Sequence, residues 1–216
     1  SRVTYASPSQ TVSLADHWEG KRLNSPNDIV VHSSGAIFFT DPDFGFVPGR
    51  NGGPPEGDPT ATRDLDFRGV YRLDLDGTLT CLVRDFGEPN GLAFSPDESV
   101  LYVDDTADPV IRRFEVNPDL SLSGGDVFVD MHGDYGRGEP DGMKIDEEGR
   151  IWCTAPGGVW VIDSGGNRLG IFELETEHAA NLAFGGAEFA TLYLTADTSV
   201  YAVETAVRGI APGSAI

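Results

Sequence analysis

The chain has 216 residues with a hydrophobic content of 39%, which is enough for a packed globular core. Its 35 acidic and 15 basic residues give a formal net charge of -20, which argues against a nucleic-acid partner because phosphates would be repelled. No apolar run approaches the roughly 20 residues of a membrane span, so we expect no membrane partner and a cytoplasmic or periplasmic protein.

Strand patterns fill the chain, and two kinds of strand pair alternate along it. The first kind is a hairpin of alternating apolar and polar residues that turns through Asp-Gly, Asn-Pro or Gly-Gly. The second kind, which we name the inner pair, begins at a polar Asn or Asp and continues into two apolar strands. The predicted order is hairpin 2–18, inner pair 26–42, hairpin 69–86, inner pair 89–106, hairpin 110–131, inner pair 140–156, hairpin 158–174, inner pair 180–197 and single strand 199–204.

An inner pair followed by a hairpin, repeated about every 40 to 50 residues, is the pattern of a β-propeller blade. A sandwich of unrelated hairpins is the alternative, but the order of pair and hairpin is kept each time. The sequence therefore predicts an all-β propeller in a single domain over residues 1–216. The elements account for about four and a half blades, so we expect further residues before Ser1 in the natural protein.

A polar residue stands at the start of each inner pair. These residues are Asn27, Asn90, Asp141 and Asn181. Each one alone is typical of a turn. In a propeller, however, they start the innermost strands and would converge on one mouth of the central channel, where amide and carboxylate oxygens suit a divalent cation.

Two longer segments would lie over the same mouth. Residues 41–69 form a long connection in which Phe44 and Phe46 stand among glycines, as in a lid or substrate wall; a surface insertion is the alternative. Residues 131–140 lead into Asp141 and bring Tyr135 and Arg137 to that end. Phe44 and Tyr135 are therefore candidate substrate-binding residues.

The cysteines and histidines show no metal-binding spacing. Cys81 and Cys153 lie inside apolar strand patterns, which predicts two buried thiols rather than a disulfide. The histidines are expected to be ordinary surface or turn residues, without the spacing of a zinc site; they are His17, His32, His132 and His178.

Several segments resemble the SMP-30/gluconolactonase/luciferin-regenerating-enzyme family of six-bladed β-propellers, and its bacterial gluconolactonase branch most closely. They cover most of the chain in the order of the family: "EGKRLNSPNDIVV", "FFTDPDFG", "GVYRLD", "PNGLAFSPDESVLYV", "PDGMKIDEEGRIW" and "LYLTADTSVYAV". The resemblance implies a six-bladed propeller whose first blade and part of the second precede this chain.

The resemblance also implies a set of site residues. Asn90 and Asp141 would hold the metal, with Asn27 beside them as a ligand or a substrate contact. The family takes a further glutamate from its first blade, for which this chain offers no residue. Ser25 stands where some relatives carry an arginine that holds the sugar, and Asn181 stands where relatives vary. Both are kept as candidate substrate-binding residues.

These residues predict a metal-dependent lactonase that opens a gluconolactone-type sugar lactone to its aldonic acid, with Asp141 as the catalytic residue. The expected cofactor is one divalent ion, Ca²⁺ in the first place, with Zn²⁺, Mg²⁺ or Mn²⁺ as alternatives. A phosphotriesterase or other ester hydrolase on the same metal, or a non-catalytic calcium-bound platform, are the alternative functions. The expected partner is a small-molecule lactone, and the expected state is a monomer or a homodimer.

Overall fold

A computed structural model describes residues 1–47, 60–133, 135–174 and 178–211. Within these ranges the chain forms 19 β-strands and contains no helix. The described part of the chain accordingly has no helix long and apolar enough to cross a bilayer. The strands group into two compact units, residues 1–89 and residues 90–216.

The first unit contains two short hairpins and one four-stranded antiparallel sheet. The first hairpin joins β1 (Val3–Ser7) and β2 (Gln10–Ala15), and the second joins β3 (His17–Trp18) and β4 (Lys21–Arg22). The sheet has the order β5 (Ile29–Val31), β6 (Ile37–Asp41), β7 (Gly69–Leu73) and β8 (Leu79–Val83). The predicted hairpins at 2–18 and 69–86 and the inner pair at 26–42 are thereby confirmed.

Aromatic side chains form the core of the first unit. Phe39 of β6 stacks on Tyr71 of β7 with ring centroids 5.3 Å apart, and Trp18 packs edge-on against Tyr71. Leu23 and Leu65 are fully buried beside them. Burying such large side chains supplies most of the stabilisation of the unit, at about 25 cal/mol per Å² of apolar surface.

The second unit is a series of three antiparallel sheets, and each sheet follows the order of its strands in the chain. The first sheet contains β9 (Pro89–Phe94), β10 (Val100–Asp105), β11 (Val110–Val116) and β12 (Leu122–Asp130). The second contains β13 (Met143–Ile145), β14 (Ile151–Ala155), β15 (Gly158–Ile162) and β16 (Arg168–Glu173). The third contains β17 (Ala179–Gly185), β18 (Thr191–Ala196) and β19 (Val200–Glu204).

In the two four-stranded sheets of the second unit, the last strand is the least buried. Every residue of β9 and β10 is buried, whereas β12 and β16 are largely exposed. Met143, Ile151 and Cys153 lie in the core that the first two sheets share. The all-β fold and the blade pattern of inner pair plus hairpin are confirmed, including a last sheet with one outer strand. The six-blade count and the single domain stay predictions.

The two cysteines differ in burial. Cys153 is fully buried and Cys81 is only half-buried, so the expectation of two buried thiols was wrong for Cys81. Both thiols are free.

Candidate functional site

The starts of the three inner pairs in the second unit lie side by side. The N–H of Gly142 donates to the carbonyl oxygen of Ala180 at 3.0 Å. A Cβ added at Gly91 would overlap the carbonyl oxygen of Asp141, and one added at Gly142 would overlap the side chain of Asn181. Gly91 after Asn90 and Gly142 after Asp141 therefore permit the close approach of neighbouring inner pairs. Asn90 and Asp141 consequently lie at adjacent inner pairs.

Contacts on one side fix the carboxamide of Asn90, which is 3% exposed. Its side-chain nitrogen donates to the hydroxyl of Thr106 at 3.0 Å, and that hydroxyl donates to the carbonyl oxygen of Pro140 at 2.6 Å. A carbonyl oxygen can only accept, so the Thr106 hydroxyl must accept from the amide nitrogen of Asn90. The Asn90 side-chain oxygen consequently points away from Thr106, as a metal ligand requires.

Hydrogen bonds of the inner pairs define which residues are equivalent in the repeat. The N–H of Gly91 donates to Asp104 Oδ1 at 2.9 Å, and the N–H of Asn181 donates to Thr195 Oγ1 at 3.1 Å. Asn181 is therefore equivalent to Gly91, and Ala180 takes the position of Asn90. The sequence alignment of Asn181 with the other three polar residues was wrong by one residue, a step that turns a strand side chain to the opposite face.

In the first unit the alignment of Asn27 is correct. The N–H of Asp28 donates to Thr40 Oγ1 at 3.1 Å, so Asp28 is equivalent to Gly91 and Asn27 to Asn90. Asn27 belongs to the first unit and Asp141 to the second, and the role of Asn27 as a ligand or substrate contact stays a prediction.

A buried carboxylate that the sequence patterns did not reveal lies behind the Asn90 peptide. Asp104 is fully buried; its Oδ1 accepts the N–H of Gly91, and its Oδ2 lies 3.5 Å from Cys153 Sγ. Burial and the Asp104 charge raise the pKa of the Cys153 thiol, which disfavours its thiolate form. The sequence contained one sign of this carboxylate: the other inner pairs have a threonine at the position of Asp104, namely Thr40, Thr154 and Thr195.

Tyr135 packs against β15 and β16, the last two strands of the second sheet in its unit. Its ring meets Trp160 edge-on at 5.1 Å, and the Arg168 guanidinium lies 4.6 Å from the Tyr135 ring centroid. Tyr135 and Arg137 line a cleft of about 390 Å³, together with Glu173 of β16. A role of Tyr135 in substrate binding stays a prediction.

His178 joins the acidic residues near Asp141, although the sequence indicated only a surface or turn histidine. Its Nε2 lies 3.6 Å from the Glu139 carboxylate, and its side chain is 25% exposed. The interaction with Glu139 raises the pKa of His178, the charges of Asp141 and Asp197 act in the same direction, and burial opposes them. A protonated His178 would be stabilised at this place.

In the first unit, Ser25 holds the turn that carries Phe44. Its hydroxyl accepts the N–H of Gly45 at 2.8 Å, and its own N–H donates to the carbonyl oxygen of Pro42. Phe44 is half-buried on this turn. The roles of Ser25 and Phe44 in substrate binding stay predictions, and residues 48–59 of the long connection lie outside the described residues.

The two sides of the long connection are tied together by buried polar groups. Asp43, with 1% of its side chain exposed, pairs with Arg63 at 2.9 Å and with Arg68 at 2.6 Å. The buried Asn24 side chain donates to the carbonyl oxygen of Phe67 at 2.9 Å. The Asp43 pairs, which are charge-assisted, join the two ends of the segment to each other, and the Asn24 hydrogen bond holds its second end.

Asp41 is expected to make the stability of the fold pH-dependent. It is fully buried, and burial raises its pKa from 3.8 to about 7, although hydrogen bonds from the Asn24 and Ser25 N–H groups oppose this. Because the folded-state pKa exceeds the unfolded one, the free energy of unfolding falls as pH rises from about 4 to about 7, by roughly 2–4 kcal/mol.

Asp41→Asn removes this ionisation. Urea denaturation between pH 4 and pH 8 should therefore show the variant gaining stability over the wild type as pH rises. The exposed Asp66→Asn variant should follow the wild type at each pH. A constant difference between Asp41→Asn and the wild type over the whole range would contradict the burial argument.

Four-stranded antiparallel blades with polar residues at the starts of their innermost strands define a class of propeller-type proteins. Residues 2–198 match the SMP-30/gluconolactonase/LRE-like region, so the chain belongs to this family. The family resemblance seen in the sequence is thereby confirmed.

Named relatives agree with this assignment. The chain is 32% identical over 202 residues to the gluconolactonase of Zymomonas mobilis, covering 91% of this chain and 54% of the relative. A gluconolactonase structure from Xanthomonas campestris shows 35% identity and a TM-score of 0.78, covering 96% of this chain and 65% of that one. A calcium-binding protein from Agrobacterium tumefaciens, regucalcin, shares the fold at 24% identity and a TM-score of 0.68, covering 87% and 63%. The chain thus spans about half the length of the curated relative.

Two residues of the second unit have the chemistry of ligands for a divalent cation. Asn90 and Asp141 offer an amide oxygen and a carboxylate, which are ligands of hard cations, and the Thr106 contact orients the amide accordingly. Among the described residues, no group of three or more His, Cys, Asp or Glu side chains is arranged to hold a metal. The second unit therefore provides two candidate ligands.

Proposed function

We propose that this chain carries the divalent-cation site of a sugar-lactone hydrolase, with Asn90 and Asp141 as ligands. The observation that carries the proposal is the close approach of these two residues, which Gly91 permits, together with the fixed orientation of the Asn90 amide. Membership of the family and the similarity to gluconolactonases support a lactone as the substrate.

The two ligands have different chemical roles. A bound divalent cation supplies polarisation of the lactone carbonyl and a lowered pKa for a bound water. Asp141 contributes the negative charge that anchors the cation and accepts a proton from the attacking water. Asn90 contributes a neutral oxygen, so that the ligands do not quench the positive charge needed at the carbonyl. Ca²⁺ is the first candidate because both ligands are oxygen donors and a relative of the same fold is a calcium-binding protein.

The proposal predicts chelator-sensitive hydrolysis of glucono-1,5-lactone by the full-length protein. Acid release above the spontaneous rate should disappear in excess chelator and return with Ca²⁺ or with one of Zn²⁺, Mg²⁺ and Mn²⁺. The measurement is a pH-indicator assay with metal content checked before each run. Unchanged hydrolysis by metal-free protein would contradict the metal, and hydrolysis of a phosphotriester alone would contradict the lactone.

A further inference from the structure

Thr106 occupies a connecting position between the two ligand-bearing segments of the second unit. It follows the last residue of β10 and is 3% exposed. Its hydroxyl accepts from the side-chain nitrogen of Asn90 at 3.0 Å and donates to the carbonyl oxygen of Pro140, directly before Asp141, at 2.6 Å. One hydroxyl group thus bonds to the Asn90 side chain and to the residue before Asp141.

We propose that Thr106 is a positioning residue that presents the Asn90 side-chain oxygen to the cation and fixes the spacing between Asn90 and Asp141. This inference rests on the proposed metal site. A hydroxyl has a single proton, and the Pro140 carbonyl takes it, so only the amide nitrogen of Asn90 can face Thr106. The carboxamide therefore cannot turn over without losing the hydrogen bond.

Loss of the hydroxyl has consequences at both ends of the bridge. Without it, the Asn90 amide nitrogen loses its acceptor, and the amide is no longer held with its oxygen away from Thr106. The Pro140 carbonyl loses its donor in a buried place, which loosens the segment that leads to Asp141. Partners that orient metal ligands in this way typically change metal affinity on the order of 10–100-fold when they are removed.

The test is calorimetric titration of Ca²⁺ into the metal-free, full-length protein and its variants. Thr106→Val keeps the volume of the side chain and removes the hydroxyl, and it should weaken Ca²⁺ binding on the order of 10–100-fold. Thr106→Ser keeps the hydroxyl and should bind Ca²⁺ with nearly wild-type affinity. The comparison of Thr106→Ser with Thr106→Val separates the effect of the hydrogen bonds from that of side-chain packing. If Thr106→Val does not fold, Thr106→Ala replaces it as the variant without a hydroxyl.

A matched control directly follows β19, the last strand of the same unit. The Thr205 hydroxyl lies within hydrogen-bonding distance of two main-chain carbonyl oxygens, those of Ala190 at 2.9 Å and Val207 at 2.6 Å, which share its single proton. Thr205→Val should therefore lose stability without losing Ca²⁺ affinity. Equal Ca²⁺ affinity in the wild type and in folded Thr106→Val would overturn the positioning role and leave the metal site standing. A wild type that binds none of the four divalent ions would overturn the metal site and the positioning role with it.

Discussion

Replacing Asp141 with asparagine is expected to lower the metal-dependent lactonase kcat/KM on the order of 10²–10³-fold, since a cation at the carbonyl supplies several kcal/mol of transition-state stabilisation. Asparagine keeps the size and one oxygen of the side chain but removes the charge and the proton acceptor. The close approach beside Gly91 involves the main chain of Asp141, which the substitution leaves in place. The fold should therefore survive while metal affinity and activity fall.

The measurement combines initial rates with a Ca²⁺ titration and thermal unfolding. Asp126→Asn is the matched control, because Asp126 is exposed on β12 and the same charge is removed there. Weaker Ca²⁺ binding with a proportionate loss of rate would support a ligand role, and unchanged binding with lost rate would support a role in proton transfer. Full retention of the rate in folded Asp141→Asn would remove Asp141 from the chemistry.

The order of the strands was predictable because local residues determine it. Apolar and polar alternation, together with Asp-Gly and Asn-Pro turns, located the hairpins at 69–86 and 110–131, and the structure confirms both. Spacing also indicated that Asn90 and Asp141 start neighbouring inner pairs. Asn181 was misplaced because it was matched to Asn90 as a polar residue, whereas the direct match of "ANLAF" to "NGLAF" aligns it with Gly91; the hydrogen bond to Thr195 has the same register.

Other parts of the site depend on contacts between residues distant in sequence. Thr106 contacts Asn90 and Pro140. Asp104 contacts Gly91 and Cys153. No short sequence motif reveals either set of contacts. Asp104 was visible in the sequence only as a carboxylate within an apolar strand pattern, where burial of a charge is unfavourable without a partner. Side-chain direction in long connections depends on such packing as well, as the contact of Tyr135 with Trp160 shows.

Gly91→Ala should strongly destabilise the second unit, because no free space exists for a methyl group at this position. The added Cβ would overlap the carbonyl oxygen of Asp141, and it would lie 2.5 Å from Asp104 Oδ2 and 3.0 Å from the Met143 nitrogen. Gly91 has no positive φ, so the expected effect is steric and not conformational. Overpacking against main-chain atoms is expected to lower the free energy of unfolding by about 3 kcal/mol.

The same substitution at Gly170 provides the control for Gly91→Ala. Gly170 lies in β16 without a positive φ and has no atom within 4 Å of an added Cβ, so Gly170→Ala should change the free energy of unfolding by no more than about 0.5 kcal/mol. Any Gly91→Ala protein that folds must separate the Asn90 strand from the Asp141 segment, so its Ca²⁺ affinity should fall together with its stability. Urea denaturation measures the stability of both variants, and Ca²⁺ titration measures their affinity. Equal stability of the two variants would show that the structure accommodates a methyl group at Gly91 and would contradict the steric argument. Retained affinity in a destabilised Gly91→Ala would instead mean that the spacing of the two segments does not determine metal binding.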